Sequence, residues 1–160
     1  MKRSRTTIVK GAKRPVDKAL ITINDVIDNS QTNTGIYTAT QAVTYSGAVI
    51  DLSFLPQTTS TATASYLWAL IYIPEGRTAN ALAFSGGSTS YNPEQDVLAI
   101  GSGGSVYNST TQVLAGFNHI HIVLKSKRKM KEGDTIVLAN LGSGANVGTL
   151  VGTVSLFVKQ

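Results

Sequence analysis

Apolar residues recur mostly at every second position of this chain, the period of a half-buried strand. Ile120, Ile122 and Leu124 share one face of such a run, and His119 and His121 share the other. Ile136 and Leu138 alternate with Val137 and Ala139. Leu150, Val154, Leu156 and Val158 line one face of a last strand, with Gly152 between them. Val43, Tyr45, Gly47 and Val49 keep one phase, whereas Ile50, Leu52 and Phe54 take the other. One extra residue swaps the faces of a strand, so the slip at Val49–Ile50 predicts a bulge. Residues 66–73 are apolar on both faces and predict a strand covered on both sides, inside a sandwich or at a subunit contact. Shorter strands are predicted at 36–40, 96–100 and 111–115. Val16, Ala19, Leu20, Ile23, Val26 and Ile27 have helical spacing, and Pro15 is placed to open a helix. The β-branched run of Ile21, Thr22, Ile23, Val26 and Ile27 favours a strand there instead.

Turn residues separate these segments: Pro74-Glu75-Gly76, Asn92-Pro93, Gly101-Ser102-Gly103-Gly104, Glu132-Gly133-Asp134 and Gly142-Ser143-Gly144. Short strands with such loops and no long helix predict an all-β, antiparallel sandwich or barrel. A length of 160 residues suits one domain. The chain is 14% charged, against about 25% in an average soluble protein, so much of its surface is expected to face other protein. It has no cysteine, which excludes disulfides, thiolate nucleophiles and cysteine-bound zinc. No apolar run approaches the roughly 20 residues of a membrane helix, and no secretion signal follows the basic start.

Charge is unevenly placed. Residues 1–18 carry Lys2, Arg3, Arg5, Lys10, Lys13, Arg14 and Lys18 against Asp17 alone, whereas residues 19–160 hold seven bases and eight acids. The chain therefore divides into a basic arm, 1–15, and a nearly neutral body, 16–160. Such asymmetry points to an anionic partner, above all nucleic acid. The arm has no aromatic residue, so it is expected to follow phosphates without stacking on bases. A second basic cluster, Lys125, Lys127, Arg128, Lys129 and Lys131, runs into Glu132 and Asp134. It reads as a further phosphate contact, as an import signal, or as a charged turn paired with those acids.

Catalytic motifs are missing: there is no phosphate-binding loop signature, no HExxH and no GxSxG. Neither glycine-rich stretch opens a helix, so neither predicts a phosphate cradle. His119 and His121 point to one side of their strand, but zinc asks for a third ligand, and the pair reads as polar residues on an exposed or interface face. Asp25 with Asp28, or Glu94 with Asp96, lack the ligand spacing of a calcium loop and read as solvated carboxylates. No catalysis, metal or cofactor is expected.

The order of features resembles a family. It runs from a basic arm through SYLWALIYIPEG, YNPEQDVLAIG and SKRKMKEGDTIVL to a final GTVSLFVKQ strand. This resembles the single jelly-roll capsid proteins of small circular single-stranded DNA viruses that encode a replication initiator, and it is similar to the coat proteins of satellite plant viruses. The resemblance implies a single jelly-roll sandwich of two four-stranded antiparallel sheets. It also implies closure of about 60 copies into an icosahedral shell, an inward-pointing arm on a single-stranded DNA genome, and location in the virion with passage through the host nucleus. The arm is short for that family. About 360 arm charges would neutralise a minority of a genome of roughly a thousand or more nucleotides, so other cations or the 125–131 cluster are expected to assist. Two readings of other classes compete. A trimeric jelly-roll carbohydrate-binding or fibre-tip module would use Tyr91 and Tyr107, and a cupin-type metalloenzyme would use His119 and His121 with a carboxylate.

Overall fold

The computed structural model describes residues 16–56, 62–79, 81–82, 96–108, 113–115 and 118–160; the expected arm, 1–15, lies outside them. Among the described residues, ten strands carry the fold: β1 (Val16–Ile27), β2 (Thr32–Thr38), β3 (Val43–Pro56), β4 (Ala62–Ile73), β5 (Val97–Asn108), β6 (Val113–Ala115), β7 (Asn118–Leu124), β8 (Arg128–Met130), β9 (Thr135–Gly142) and β10 (Gly148–Lys159). β1 settles the helix-or-strand ambiguity in favour of the strand. Ile23 and Ile27 are buried with Ala19 and Ile21 packed beside them, while Lys18, Leu20, Thr22, Asn24 and Val26 are exposed. That alternation has period two, not 3.6.

The strands form two antiparallel sheets, a sandwich. The first has the order β1-β10-β3-β7, with β8 also paired to β3; the second has the order β2-β9-β4-β5-β6. The two four-stranded sheets expected are thus each extended by a short fifth strand, β8 or β6. The pairings nest. β1 pairs with β10, β2 with β9, β3 with β7 and β8, and β4 with β5. The contacts β10–β3 and β9–β4 then join the coils of this folded ribbon into sheets.

Between the sheets lies one apolar core. Ile23, Ile50, Leu52, Phe54, Leu150, Val154 and Leu156 enter it from the first sheet, and Ile36, Tyr66, Trp68, Leu70, Ile136 and Leu138 from the second. The rings of Phe54 and Tyr66 stack across the gap at 4.4 Å. The phase slip of β3 is real, but its bulge sits earlier than predicted. The register slips between Leu156↔Ala48 and Val158↔Tyr45, which sets Ser46 and Gly47 together opposite Phe157 alone. Gly47 takes φ +135°, and the Ser46 hydroxyl donates to the Phe157 carbonyl (3.1 Å). Glycine's freedom at positive φ draws the bulge to that residue.

The Gly101–Gly104 stretch is not the turn predicted. It lies within β5, where Gly101 faces Trp68 and Gly103 faces Tyr66 across the ladder. A Cβ at either glycine would meet the facing ring, so the buried aromatics fill the space that side chains would otherwise occupy.

β4 is covered on both faces, as its sequence predicts. Tyr66, Trp68 and Leu70 enter the main core, while Ala69, Ile71 and Ile73 join Val137, Ala139 and Leu141 in a second cluster on the outer side. Ala79 and Leu82, from the chain after β4, roof that cluster, and the Leu82 N–H donates to Gln31 Oε1 (2.7 Å). The outer face of the first sheet differs: Leu20, Val26, Leu55 and Val123 lie on it 45–56% exposed.

Gly152 shows how tightly the first sheet is joined. It takes φ +144° in mid-strand, and a Cβ there would collide with the Asp51 carbonyl of β3. Gly152→Ala is expected to cost about 2–3 kcal/mol in chemical denaturation. Gly35→Ala, where nothing lies within 4 Å, is expected to shift stability by less than about 0.5 kcal/mol. Equal effects at the two positions would refute this account of the sheet.

Candidate nucleic-acid interface

Three clusters of polar side chains stand out from the sandwich. The first is a structural lock. Asp134 is 3% exposed, yet its carboxylate is fully used. Oδ2 accepts from the Tyr72 hydroxyl (2.6 Å) and the Lys131 N–H (2.7 Å), and Oδ1 accepts from the Glu75 N–H (3.1 Å). The Asp134 carbonyl accepts from the Ala39 N–H, and the Gly133 N–H donates to the Ala39 carbonyl. The Pro-Glu-Gly and Glu-Gly-Asp turns, remote in sequence, are thereby tied to each other and to the β2–β3 turn. Burial alone would push the Asp134 carboxyl up; its three hydrogen bonds and the Lys131 charge outweigh burial and hold it below the usual carboxylate range. Tyr72 is pushed up to about 12, first by burial and then by its bond to Asp134.

The second cluster joins β3 and β7. His119 Nε2 lies 3.4 Å from Asp51 Oδ1, and His121 Nδ1 lies 3.3 Å from Asp51 Oδ2. Ser53 Oγ is 3.1 Å from His119 Nδ1. All three ionisable groups are about half exposed on the outer face of the first sheet, the side of β7 predicted for the histidines. Asp51 supplies the carboxylate that the metalloenzyme reading asked for. Each ring takes a different oxygen of it, however, and no three His, Asp or Glu side chains among the described residues are arranged to hold a metal ion.

The third cluster is the basic one, and the structure divides it. Arg128 stacks its guanidinium over the Tyr72 ring at 4.0 Å, beside the Asp134 lock. Lys131 donates its backbone N–H to Asp134, and its charge helps to hold that carboxyl low. Lys125, Lys127 and Lys129 are exposed, and among the described residues the ion pairs involve the two histidines and no lysine. The run from Lys125 to Lys131 is therefore not one uniform patch. Lys18, placed by sequence with the arm, is an exposed residue of β1 opposite Phe157. Lys2, Arg3, Arg5, Lys10, Lys13 and Arg14 lie outside the described residues, as do Tyr91 and Glu94.

The remaining acids have structural partners. The Thr34 hydroxyl and the Asn140 amide donate to Asp25 Oδ2 (2.6 and 3.3 Å). The N–H groups of Asn29 and Asn146 donate to Asp28 Oδ1 (2.7 and 3.3 Å). The Asp96 carbonyl accepts from the Tyr72 N–H. Asp51, which the sequence pattern does not mark as a partner of the histidines, joins them in the second cluster. Its trace in the sequence is an acid on the polar phase of an otherwise apolar strand; for Asp134, the nearby Lys131 is legible in the sequence, whereas Tyr72 and Glu75 are remote in the chain. No family model matches the sequence, and no curated protein is significantly similar to it. Among the described residues, no helix is long and apolar enough to cross a membrane.

The lock predicts a pH effect with a definite sign. A carboxyl whose folded pKa is depressed stabilises the fold above its ordinary value of 3.8, and that contribution disappears as pH falls through the lower folded value. Asp134→Asn is expected to cost about 2 kcal/mol at neutral pH and to flatten the acid limb of the stability curve. Denaturant titrations from neutral pH down to pH 3 test this; an unchanged acid limb would refute it.

Proposed function

We propose that this chain is a viral capsid subunit whose sandwich is a single jelly roll and whose basic leader holds the genome. The observation that carries the reading is the nesting of strand pairs, first with last and inward to the β4–β5 hairpin. Folding one long antiparallel ribbon into two packed sheets is the jelly-roll arrangement, which recurs in capsid and lectin domains and in cupins. The basic leader favours the capsid among these. Residues 1–15 carry six bases and no acid, and they are joined directly to β1.

The body suits assembly. Its surface is poor in charge, and interface centres are depleted in charge. Among the described residues, the β1 edge of the first sheet has no partner strand. Symmetric closure, with about 60 copies in the simplest shell, is one way to cover such an edge. Genome binding follows from counterion release along the phosphate backbone and needs no base recognition. The genome in this reading is single-stranded DNA, the particle is the virion, and no catalytic step, membrane or cofactor takes part.

Negative-stain microscopy of the full-length recombinant protein is expected to show uniform hollow spheres. Monomers or trimers at every salt and pH would reject the reading. Replacing the six bases of residues 1–15 by glutamine is expected to leave the shells intact and to remove most co-purifying nucleic acid. Unchanged nucleic acid would show that the charge which matters lies elsewhere.

A further inference from the structure

The register of the first sheet brings together three lysines that are far apart in the sequence. Val16, the first described residue, pairs with Lys159; Lys159 pairs with Thr44; Thr44 pairs with Lys129. One step along, Lys18 pairs with Phe157. Core residues of these strands point the other way, so Lys18, Phe157, Lys159 and Lys129 share the outer face. The three lysines are exposed, and Phe157 is partly so. Lys159 and Lys129 are two strand spacings apart, about 10 Å, close to the Debye length at 0.1 M salt, so their fields add.

Beside Lys129 opens a groove of about 320 Å³. Thr44, Lys129, Lys131 and Gln160 line it above Val43 and Met130. The nearby acids lie apart from this row. Asp51, on the same outer face, is held between two histidines. Glu75 and Glu132 line a separate cavity with Thr40 and Gly133. The six-base leader joins the sheet at the corner where the lysine row begins.

We propose that Lys18, Lys159 and Lys129, with Phe157 between the first two, form a second binding site, carried by the body, for the phosphates of single-stranded nucleic acid. The proposal rests on the genome-binding role given to the leader and extends that track onto the folded sheet. The lysines neutralise phosphates, and the groove beside Lys129 admits the strand. The Phe157 ring offers a base the stacking face that the leader lacks. That ring favours nucleic acid over an acidic polypeptide, which has no bases to stack. Reading phosphate alone, the lysines take DNA and RNA alike. The site also supplies charge beyond the short leader.

The test is fluorescence anisotropy of the full-length chain with a roughly 20-residue oligothymidylate across a salt series, where each phosphate contact on a single strand contributes about 0.7 to the log–log slope. Lys18→Gln, Lys129→Gln and Lys159→Gln together are expected to lower the slope by about 2. Arg77→Gln, an exposed base elsewhere, is expected to leave it unchanged. Phe157→Ala is expected to weaken binding at constant slope, and thermal unfolding confirms that each variant is folded. Oligouridylate is expected to bind like oligothymidylate, and polyglutamate of equal charge more weakly. A triple variant with the parent's affinity and slope would overturn the body site while leaving the leader's role standing. Failure of the unmodified chain to bind at low salt would overturn both. Polyglutamate binding as tight as the oligonucleotide, or an inert Phe157→Ala, would overturn the assignment to nucleic acid.

Discussion

The pairing of Val16–Ile27 with Gly148–Lys159 is the constraint on which the rest of the molecule depends. It joins the two ends of the body over nearly its whole length. Once it forms, β10 presents its other edge to β3, and β3 holds β7 and β8. The first sheet is thus assembled around a strand from the end of the chain. Contacts of that separation carry a large loop-closure cost that local structure cannot offset, and folding dominated by them is slow. The glycines of the ladder fit this demand. Gly47 and Gly152 accept positive φ where β3 meets its neighbours closely, and a side chain at either would enter the backbone of the adjacent strand.

The two outer faces have opposite fates. The second sheet buries its outer apolar residues under the chain that follows β4, so Ile71, Val137 and Leu141 are shielded by the subunit's own Ala79 and Leu82. The first sheet leaves Leu20, Val26, Leu55 and Val123 open. Its polar rows hold threonines and serines, the Asp51–His119–His121 cluster and, at one corner, lysines. A molecule with one roofed face and one bare face has a direction. In the proposed shell, the bare face with its cationic corner is the one suited to anionic cargo. The Asp134 lock lies among the turns, where it fixes the spacing of three loops instead of meeting a ligand.

Much of this was legible in the residues. The alternation of Ile120, Ile122 and Leu124 against His119 and His121 gave both faces of β7 correctly, because a strand's period is local. The two-sided apolar run at 66–73 announced cover on both sides of β4. Other features were misread for a common reason. The Gly101–Gly104 stretch has turn composition, and only the facing Trp68 and Tyr66 explain glycine inside a strand. The β3 bulge was placed a few residues late, because the alternation of apolar residues ran on through Gly47 and hid the slip. The run from Lys125 to Lys131 reads as one patch, yet Arg128 turns onto the Tyr72 ring and the Lys131 backbone binds Asp134, while Lys129 lies on the outer face.

By itself the sequence determined the all-β class, the faces of most strands and the concentration of positive charge before residue 16. Each follows from local stereochemistry or from counting, which need no knowledge of neighbours. Tertiary structure alone decided which strands lie side by side. From that came the meeting of Lys18, Lys159 and Lys129, the placing of Asp51 between two histidines and the enclosure of Asp134 by three turns. A period-two pattern marks which side of a strand is buried but is the same for every possible partner. Partnership is settled by register, twist and the fit of the whole core.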